Sequence, residues 1–280
     1  MAEKGKNRTF AVQKHVCSVK IKEVIAALER FAPLPLQAGF DNAGLQVGLT
    51  EAEVSGALLC LDVTEAIVDE AIARGCNLIV SHHPLIFRKL SCISDGDYVQ
   101  RTVFKAIQRG IVIVSMHTNM DSAVGGVNYK IAEKLGLQDL SFIGQQQEVE
   151  GVSGGEGVIG RFAKPVAADD LVLLLKKEFG VECVQANQLL RRPIEKVALC
   201  GGSGAFLLPE AVRLGADAFV TGEMHYHEFF GREQQIQICV IGHYQGEQYT
   251  SEIFREIIMR ECAGVPCYIT SVNTNPILYL

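Results

Sequence analysis

Short apolar runs alternate along this chain with stretches whose apolar positions recur every three or four residues. Ala57–Asp62 is an apolar run of strand length that closes on Asp62. Thr64–Arg74 then takes helical spacing, with Thr64 placed to cap its first turn. Leu78–Val80 is a second apolar run and ends at Ser81-His82-His83-Pro84. Helical spacing returns over Tyr98–Arg109, and Ile111–Ser115 (IVIVS) is β-branched and strand-like. That run leads into Met116-His117-Thr118-Asn119-Met120-Asp121. The order βαβαβ predicts an α/β fold with a largely parallel sheet and right-handed crossovers.

The pattern then repeats. Leu199-Cys200 matches Leu59-Cys60, Glu210-Ala211 matches Glu70-Ala71, Gly215 matches Gly75 and Val220 matches Val80, all at one sequence offset without a gap. After a shorter connection Ile238–Ile241 leads into Gly242-His243-Tyr244-Gln245-Gly246-Glu247, so that His243-x3-Glu247 answers His117-x3-Asp121. Two β-α-β stretches share a period in any case, but the matched His-x3-carboxylate after a matched strand favours a true repeat. The expectation is two similar α/β units related by an internal pseudo-twofold, with mostly parallel central strands. Residues 1–17 read as an N-terminal extension, 18–144 as the first unit, 145–157 (QQQEVEGVSGGEG) as a polar, Gly-rich linking loop and 158–280 as the second unit. Within the second unit the pattern predicts a helix at Val166–Phe179, a strand at Val181–Val184, a long helix including Phe254–Met259 and a closing strand at Pro266–Thr270.

Composition narrows the class without naming an activity. The 280 residues are enough for two α/β units, and 48% hydrophobic with 21% charged residues is ordinary for a globular protein. A net charge of −6 gives no nucleic-acid footprint. No apolar run approaches the roughly 20 residues that span a bilayer, and the N-terminus has no apolar core of a secretory signal. Nine cysteines are scattered without a CxxC pair, so Cys60, Cys200 and Cys239 read as buried free thiols rather than zinc ligands. A reducing, cytoplasmic location is the expectation.

The chemistry gathers just after the strands, where parallel sheets collect ligands. His82 and His83 are adjacent, so their rings point to different sides and suit two neighbouring metals. The alternative is a turn with one solvated and one backbone-bonded histidine. Asp121 is a candidate oxygen ligand, or else a helix N-cap. His117 could ligate, shuttle protons or orient Asp121. His243 and Glu247, four apart, share a face if the chain turns helical there, and Glu247 is the candidate bridge between two cations. By the repeat, Gly222-Glu223 stands where His82-His83 stand, so Glu223 faces the same cleft. His225 and His227 read as solvated loop histidines. Gly201-Gly202-Ser203-Gly204 fits either phosphate cradling or tight strand–helix packing.

These motifs together resemble a known family. Phe40-Asp41-Asn42-Ala43-Gly44-Leu45-Gln46-Val47-Gly48, Ser81–Pro84, His117–Asp121, Gly201–Gly204, Thr221-Gly222-Glu223 and Gly242-His243-Tyr244-x-x-Glu247 are similar to the Nif-three-like dinuclear metal-centre family, whose bacterial members carry the label GTP cyclohydrolase I type 2 homologue. The resemblance runs from about Val19 to the C-terminus. It implies one metal on His82, Asp121 and Glu247 and a second on His83, His243 and Glu247. It also implies interlinked α/β units in a toroidal homohexamer. The chain departs from the family in having Phe40 where Trp is usual, and it is too short for the domain some members insert between the halves.

The functional expectation is a hydrolase dependent on two divalent cations, zinc, iron or manganese, acting on a nucleotide or related small molecule. His117 and Glu247 are its candidate catalytic residues. The competing expectation is a non-catalytic metal-binding protein or a regulatory interaction module, because ligands alone do not show an open coordination position.

Overall fold

The computed structural model describes residues 18–279, so the expected extension 1–17 lies outside the described residues. The first half runs α1 (Ile21–Phe31), β1 (Gly44–Val47), β2 (Ala57–Cys60), α2 (Glu65–Ala73), β3 (Leu78–Ser81), α3 (Tyr98–Gln108), β4 (Val112–Ser115), α4 (Thr118–Ser122) and α5 (Val127–Leu135). It continues as β5 (Gln138–Val149), β6 (Val152–Val166), α6 (Ala168–Phe179), β7 (Gln185–Ala186), β8 (Ile194–Cys200), α7 (Leu208–Arg213), β9 (Ala218–Thr221), β10 (Gln237–Val240), α8 (His243–Glu247), α9 (Thr250–Glu261) and β11 (Cys267–Ile269). Thr64 caps α2 as expected, its hydroxyl accepting from the Ile67 amide, a contact worth about 1 kcal/mol.

Two sheets result, with mostly parallel central strands. One has the order β1-β4-β3-β2-β11 and the other β5-β6-β8-β9-β10-β7. In the first, β4, β3, β2 and β11 are parallel and β1 is antiparallel. In the second, β8, β9 and β10 are parallel, flanked by antiparallel β6 and β7. The closing strand β11 joins the first sheet although it ends the chain, and β5, which starts before residue 145, joins the second. The chain thus interlinks the sheets.

The central strands are buried on both faces, which is why they read as unbroken apolar runs. Alternate residues face opposite ways. Leu59, Val80 and Val114 share a core with Val197, Leu199 and Val220 of the other sheet, and with Met116, Ile131, Phe254 and Ile257. Leu58, Cys60, Ile79 and Ile113 face α2 and α3. Ala198, Cys200, Phe219 and Ile238 face α7. Cys60, Cys200 and Cys239 are buried free thiols.

Three sequence expectations change. The stretch 145–157 is not a loop: it lies in a long antiparallel hairpin that turns at Glu150-Gly151, both with positive φ. Its glycines serve close approach inside a strand, since a Cβ at Gly155 would lie 2.6 Å from the Phe142 side chain and one at Gly157 2.6 Å from that of Leu207. The strand expected at Val181–Val184 falls instead at Gln185–Ala186, paired with β10. The third concerns the repeat. Leu59 pairs with Val80 and Cys60 with Ser81, while Leu199 pairs with Val220 and Cys200 with Thr221, so residues matched in sequence are also matched in strand register. Ser81 pairs with Ser115 and Thr221 with Val240. By that register His117 answers Gly242, and Thr118 answers His243. The two His-x3-carboxylate pairs are therefore one residue out of step, because spacing alone aligned them by chemistry rather than by backbone.

Candidate metal centre

The candidate side chains leave the carboxyl ends of parallel strands from both sheets. Past β3, the His82 amide still bonds the Cys60 carbonyl and the His83 amide the Leu61 carbonyl, so both imidazoles start from a fixed backbone. Their ring centroids are 4.9 Å apart. Past β4 the chain turns at once into α4, with His117 at its N-cap and Asp121 inside it, so Asp121 is not the N-cap. Past β10, Gly242 at φ +95° opens α8, which carries His243 and Glu247 on one face. A Cβ at Gly242 would lie 2.2 Å from Gln245 Oε1, so only glycine makes this turn without displacing that side chain.

Four imidazoles follow one rule. His82 Nδ1 donates to the Met116 carbonyl at 2.9 Å, and His83 Nδ1 to Asp62 Oδ1 at 2.7 Å. His117 Nδ1 donates to Asp41 Oδ1 at 2.7 Å, and His243 Nδ1 lies 3.0 Å from Glu223 Oε1. An oxygen that holds each Nδ1–H leaves Nε2 free to act as a ligand or base.

Those Nε2 atoms converge on carboxylates. His82 Nε2 lies 3.5 Å from Asp121 Oδ1 and 3.7 Å from Glu247 Oε2. His83 Nε2 and His243 Nε2 are 2.9 and 3.0 Å from the same Glu247 oxygen and 3.2 Å from each other. In each of two groups, His82-Asp121-Glu247 and His83-His243-Glu247, the candidate ligand atoms lie within 4.8 Å of one another; His82-His83-His117 forms a third. Two ligands of one tetrahedral ion at about 2.0–2.2 Å stand about 3.3–3.6 Å apart, so the first group matches and the second is a few tenths of an ångström tighter. Among the described residues, His82 Nε2 and Asp121 Oδ1 are buried without a hydrogen-bond partner. Orphaned buried polar atoms are costly, and a cation between them would satisfy both. The donor set fits a metal.

Electrostatics agree. Burial and the neighbouring Glu247 charge raise the Asp121 carboxyl above its usual range. Burial opposes the Glu247 charge too, but the hydrogen-bonded imidazoles of His243 and His83, with that of His82 close by, hold its carboxyl well below the usual range. Burial would lower His83, yet bonds to Asp62 and Glu247 push it up to about 10. Against the same opposing burial, Glu247 raises His243 to about 9.

Glu223 faces the cleft as expected, bonded also to Ser203 Oγ at 2.5 Å. His225 and His227 are exposed and stand outside the three groups. The Gly201–Gly204 stretch makes room for close packing: a Cβ at Gly202 would lie 2.4 Å from Glu247 Oε1, and one at Gly204 2.4 Å from the Cys200 side chain. His117 holds Asp41 rather than Asp121, with its ring 5.2 Å from that of His82. Asp41 and Asp62 are the partners that sequence reasoning missed. Asp62 could have been found, since it lies just past β2 at the same sheet end as the histidines.

A cavity of about 560 Å³ opens beside His243, lined also by Glu223, Ser203, Phe206 and Tyr279. Among the described residues no helix is long and apolar enough to cross a membrane.

Comparison with known proteins places the chain in a family. The sequence profile of the Duf34/NIF3 (NGG1p interacting factor 3) family matches residues 19–276. A Clostridium perfringens protein named GTP cyclohydrolase 1 type 2 homolog is 35% identical, over 82% of this chain and 87% of its own length. A Campylobacter jejuni protein of the same name is 27% identical over 93% of this chain and all of its own. The crystal structure of a Staphylococcus aureus hypothetical protein superposes with a TM-score of 0.85 at 27% identity, covering 94% of this chain and 100% of that one. That of a Bacillus cereus protein related to NIF3 superposes at 0.83 with 24% identity, over 94% and 99% of the two chains, and shares the fold. With a profile match over nearly its whole length and a buried histidine–carboxylate cluster at the strand ends, the chain belongs to the Duf34/NIF3 family.

Proposed function

We propose that this chain is a dinuclear metal-binding protein that acts as a metal-dependent hydrolase on a nucleotide or related small molecule. One observation carries the reading. A single buried oxygen, Glu247 Oε2, stands 2.9, 3.0 and 3.7 Å from the Nε2 atoms of His83, His243 and His82. In the proposal His82, Asp121 and Glu247 hold one cation, and His83, His243 and Glu247 the other. Imidazole and carboxylate donors suit zinc, iron or manganese. Two cations there would supply Lewis-acid charge and bring the deprotonation of water near neutral pH.

The chain's own groups do the rest. Asp62, Glu223 and the Met116 carbonyl keep three imidazoles turned inward. His117, fixed through Nδ1 by Asp41, moves a proton at Nε2. The cavity of about 560 Å³ beside His243 is of a size that takes a small molecule. The name borne by the relatives puts nucleotides first among substrates to try.

The test is elemental analysis of chelator-free protein, followed by a turnover screen over nucleotides and phosphoesters with each metal in turn and a ligand variant as control. About two equivalents of metal per chain and turnover lost in the variant are expected. Two equivalents without turnover leave a metal-binding protein and remove the hydrolase. We further propose the closed homohexamer that the family resemblance implies. Light scattering of metal-loaded protein should give six chains, and a monomer at micromolar concentration overturns it.

A further inference from the structure

The C-terminal segment after β11 crosses from the first sheet to the mouth of the candidate metal centre, and it is fastened at each step. At its root, Glu70 on α2 accepts from the hydroxyl of Thr270 and from the amide and hydroxyl of Ser271, the last two at 3.1 and 2.9 Å. Asn273 Oδ1 accepts from the Asn275 amide at 2.9 Å, and Asn275 Oδ1 from the Ile277 amide at 3.1 Å, so asparagine turns shape the backbone. Between them the Thr274 hydroxyl donates to Asp62 Oδ2 at 2.7 Å. The other oxygen of that carboxylate holds His83 Nδ1 at 2.7 Å. Further on, Ile277 and Tyr279 stand between two cavities of about 560 and 280 Å³ and line both.

A carboxylate with one oxygen on a histidine can still pivot about its own bond. A second bond on the other oxygen removes that freedom, and the imidazole it holds then keeps one orientation. The second half of the molecule solves the same problem locally: Glu223 reaches His243 Nδ1 and is itself held by Ser203 from the neighbouring loop. Among the described residues Asp62 has no such local partner, and a residue more than two hundred positions away fills the place.

We propose that Thr274 is a positioning residue of the metal centre, acting through Asp62 to fix the ring of His83. This rests on the dinuclear reading given above. It makes the C-terminal segment part of the site, and it makes the His83-His243-Glu247 group depend on a hydroxyl that never reaches a metal.

The experiment titrates cobalt(II) into the metal-free full chain, following its absorption bands and its loss to a competing chelator. Wild type should take up two equivalents. Thr274→Val should weaken one equivalent about 10-fold, at the low end of losses seen for groups that orient a ligand, with the other unchanged and the bands of the weakened one altered. Thr274→Ser, which keeps the hydroxyl, should restore both. A chain ending at Asn275, which keeps Thr274 but removes the residues between the cavities, should bind both equivalents as wild type does. Unchanged affinities and bands in Thr274→Val overturn the proposal. So does equal weakening in the serine variant, which would mean that only packing of the segment matters. Wild-type protein that takes up no cobalt, zinc, iron or manganese overturns the dinuclear reading and this proposal with it.

Discussion

The strand ends of the two sheets share a backbone and not a chemistry. By register, the positions that carry Asp62, His82 and His83 in the first sheet carry Gly202, Gly222 and Glu223 in the second. In the first sheet side chains reach forward from these positions. In the second, Glu223 reaches His243 but glycine leaves space at the other two: a Cβ at Gly202 would lie 2.4 Å from Glu247 Oε1, and one at Gly222 would lie 3.0 Å from the His243 backbone. Two alike scaffolds thus meet in an unlike site, one supplying His82, His83 and Asp121, the other emptying itself so that His243 and Glu247 can reach across. A symmetric pair of ligand sets would have placed two carboxylates where one oxygen now serves both groups.

The sharpest way to break this comparison is to remove the shared group. Glu247→Ala should lose both metal equivalents, whereas His82→Ala should spare the His83-His243 site in part. Elemental analysis reads the difference, and undiminished metal in Glu247→Ala ends the bridging claim.

His117 has no counterpart across the register, since Gly242 stands there. In the proposed role of proton carrier rather than ligand, it should affect rate alone. His117→Ala should keep near-normal metal and lose about 10²–10⁴-fold in turnover. If metal affinity falls instead, His117 belongs with the ligands, as its place in the His82-His83-His117 group allows.

Next come Asp62 and Gly202, the matched pair itself. Asp62→Ala should weaken one equivalent by about 10–100-fold. Gly202→Ala should displace the Glu247 carboxylate and weaken both, with a further cost of about 1–2 kcal/mol for a side chain at φ +55°. Chelator competition and thermal unfolding separate the two effects. Normal metal uptake in Gly202→Ala would reduce Gly202 to a turn residue.

The smallest effect concerns the other matched pair, Glu70 and Glu210. Burial opposes the Glu70 charge, but bonds from Thr270, Ser271 and Arg74 hold its carboxyl down at about 2 against an ordinary 4.5. A carboxyl lowered by folding stabilises fully above its unfolded value and loses that contribution as pH falls through the folded value. Glu70→Gln should therefore cost about 1–3 kcal/mol at neutral pH, and the gap to wild type should close between about pH 4.5 and pH 2. Among the described residues the Glu210 carboxylate holds only the Gly144 amide at 3.2 Å and Arg213 at 3.1 Å, so Glu210→Gln should cost under about 1 kcal/mol. Denaturant unfolding across that pH range tests both, and equal losses would remove the distinction.

The sequence by itself determined the alternating order of strands and helices, because a strand buried on both faces must be an unbroken apolar run and a one-sided helix must show its period. It also gave matched residues at one offset, and the structure pairs them alike, Leu59 with Val80 and Leu199 with Val220. The candidate ligands were legible too, since chemistry after strand ends is a local signal. Glycine misled the reading at 145–157, where composition marks a loop but close strand packing needs the same residue. Only the tertiary structure decided that Glu247 Oε2 stands between His83 and His243, that Asp41 and Asp62 hold His117 and His83, and that Thr274 reaches Asp62. Those contacts join residues from both sheets and from the end of the chain. No periodicity encodes them, because each depends on where two separately formed elements come to rest.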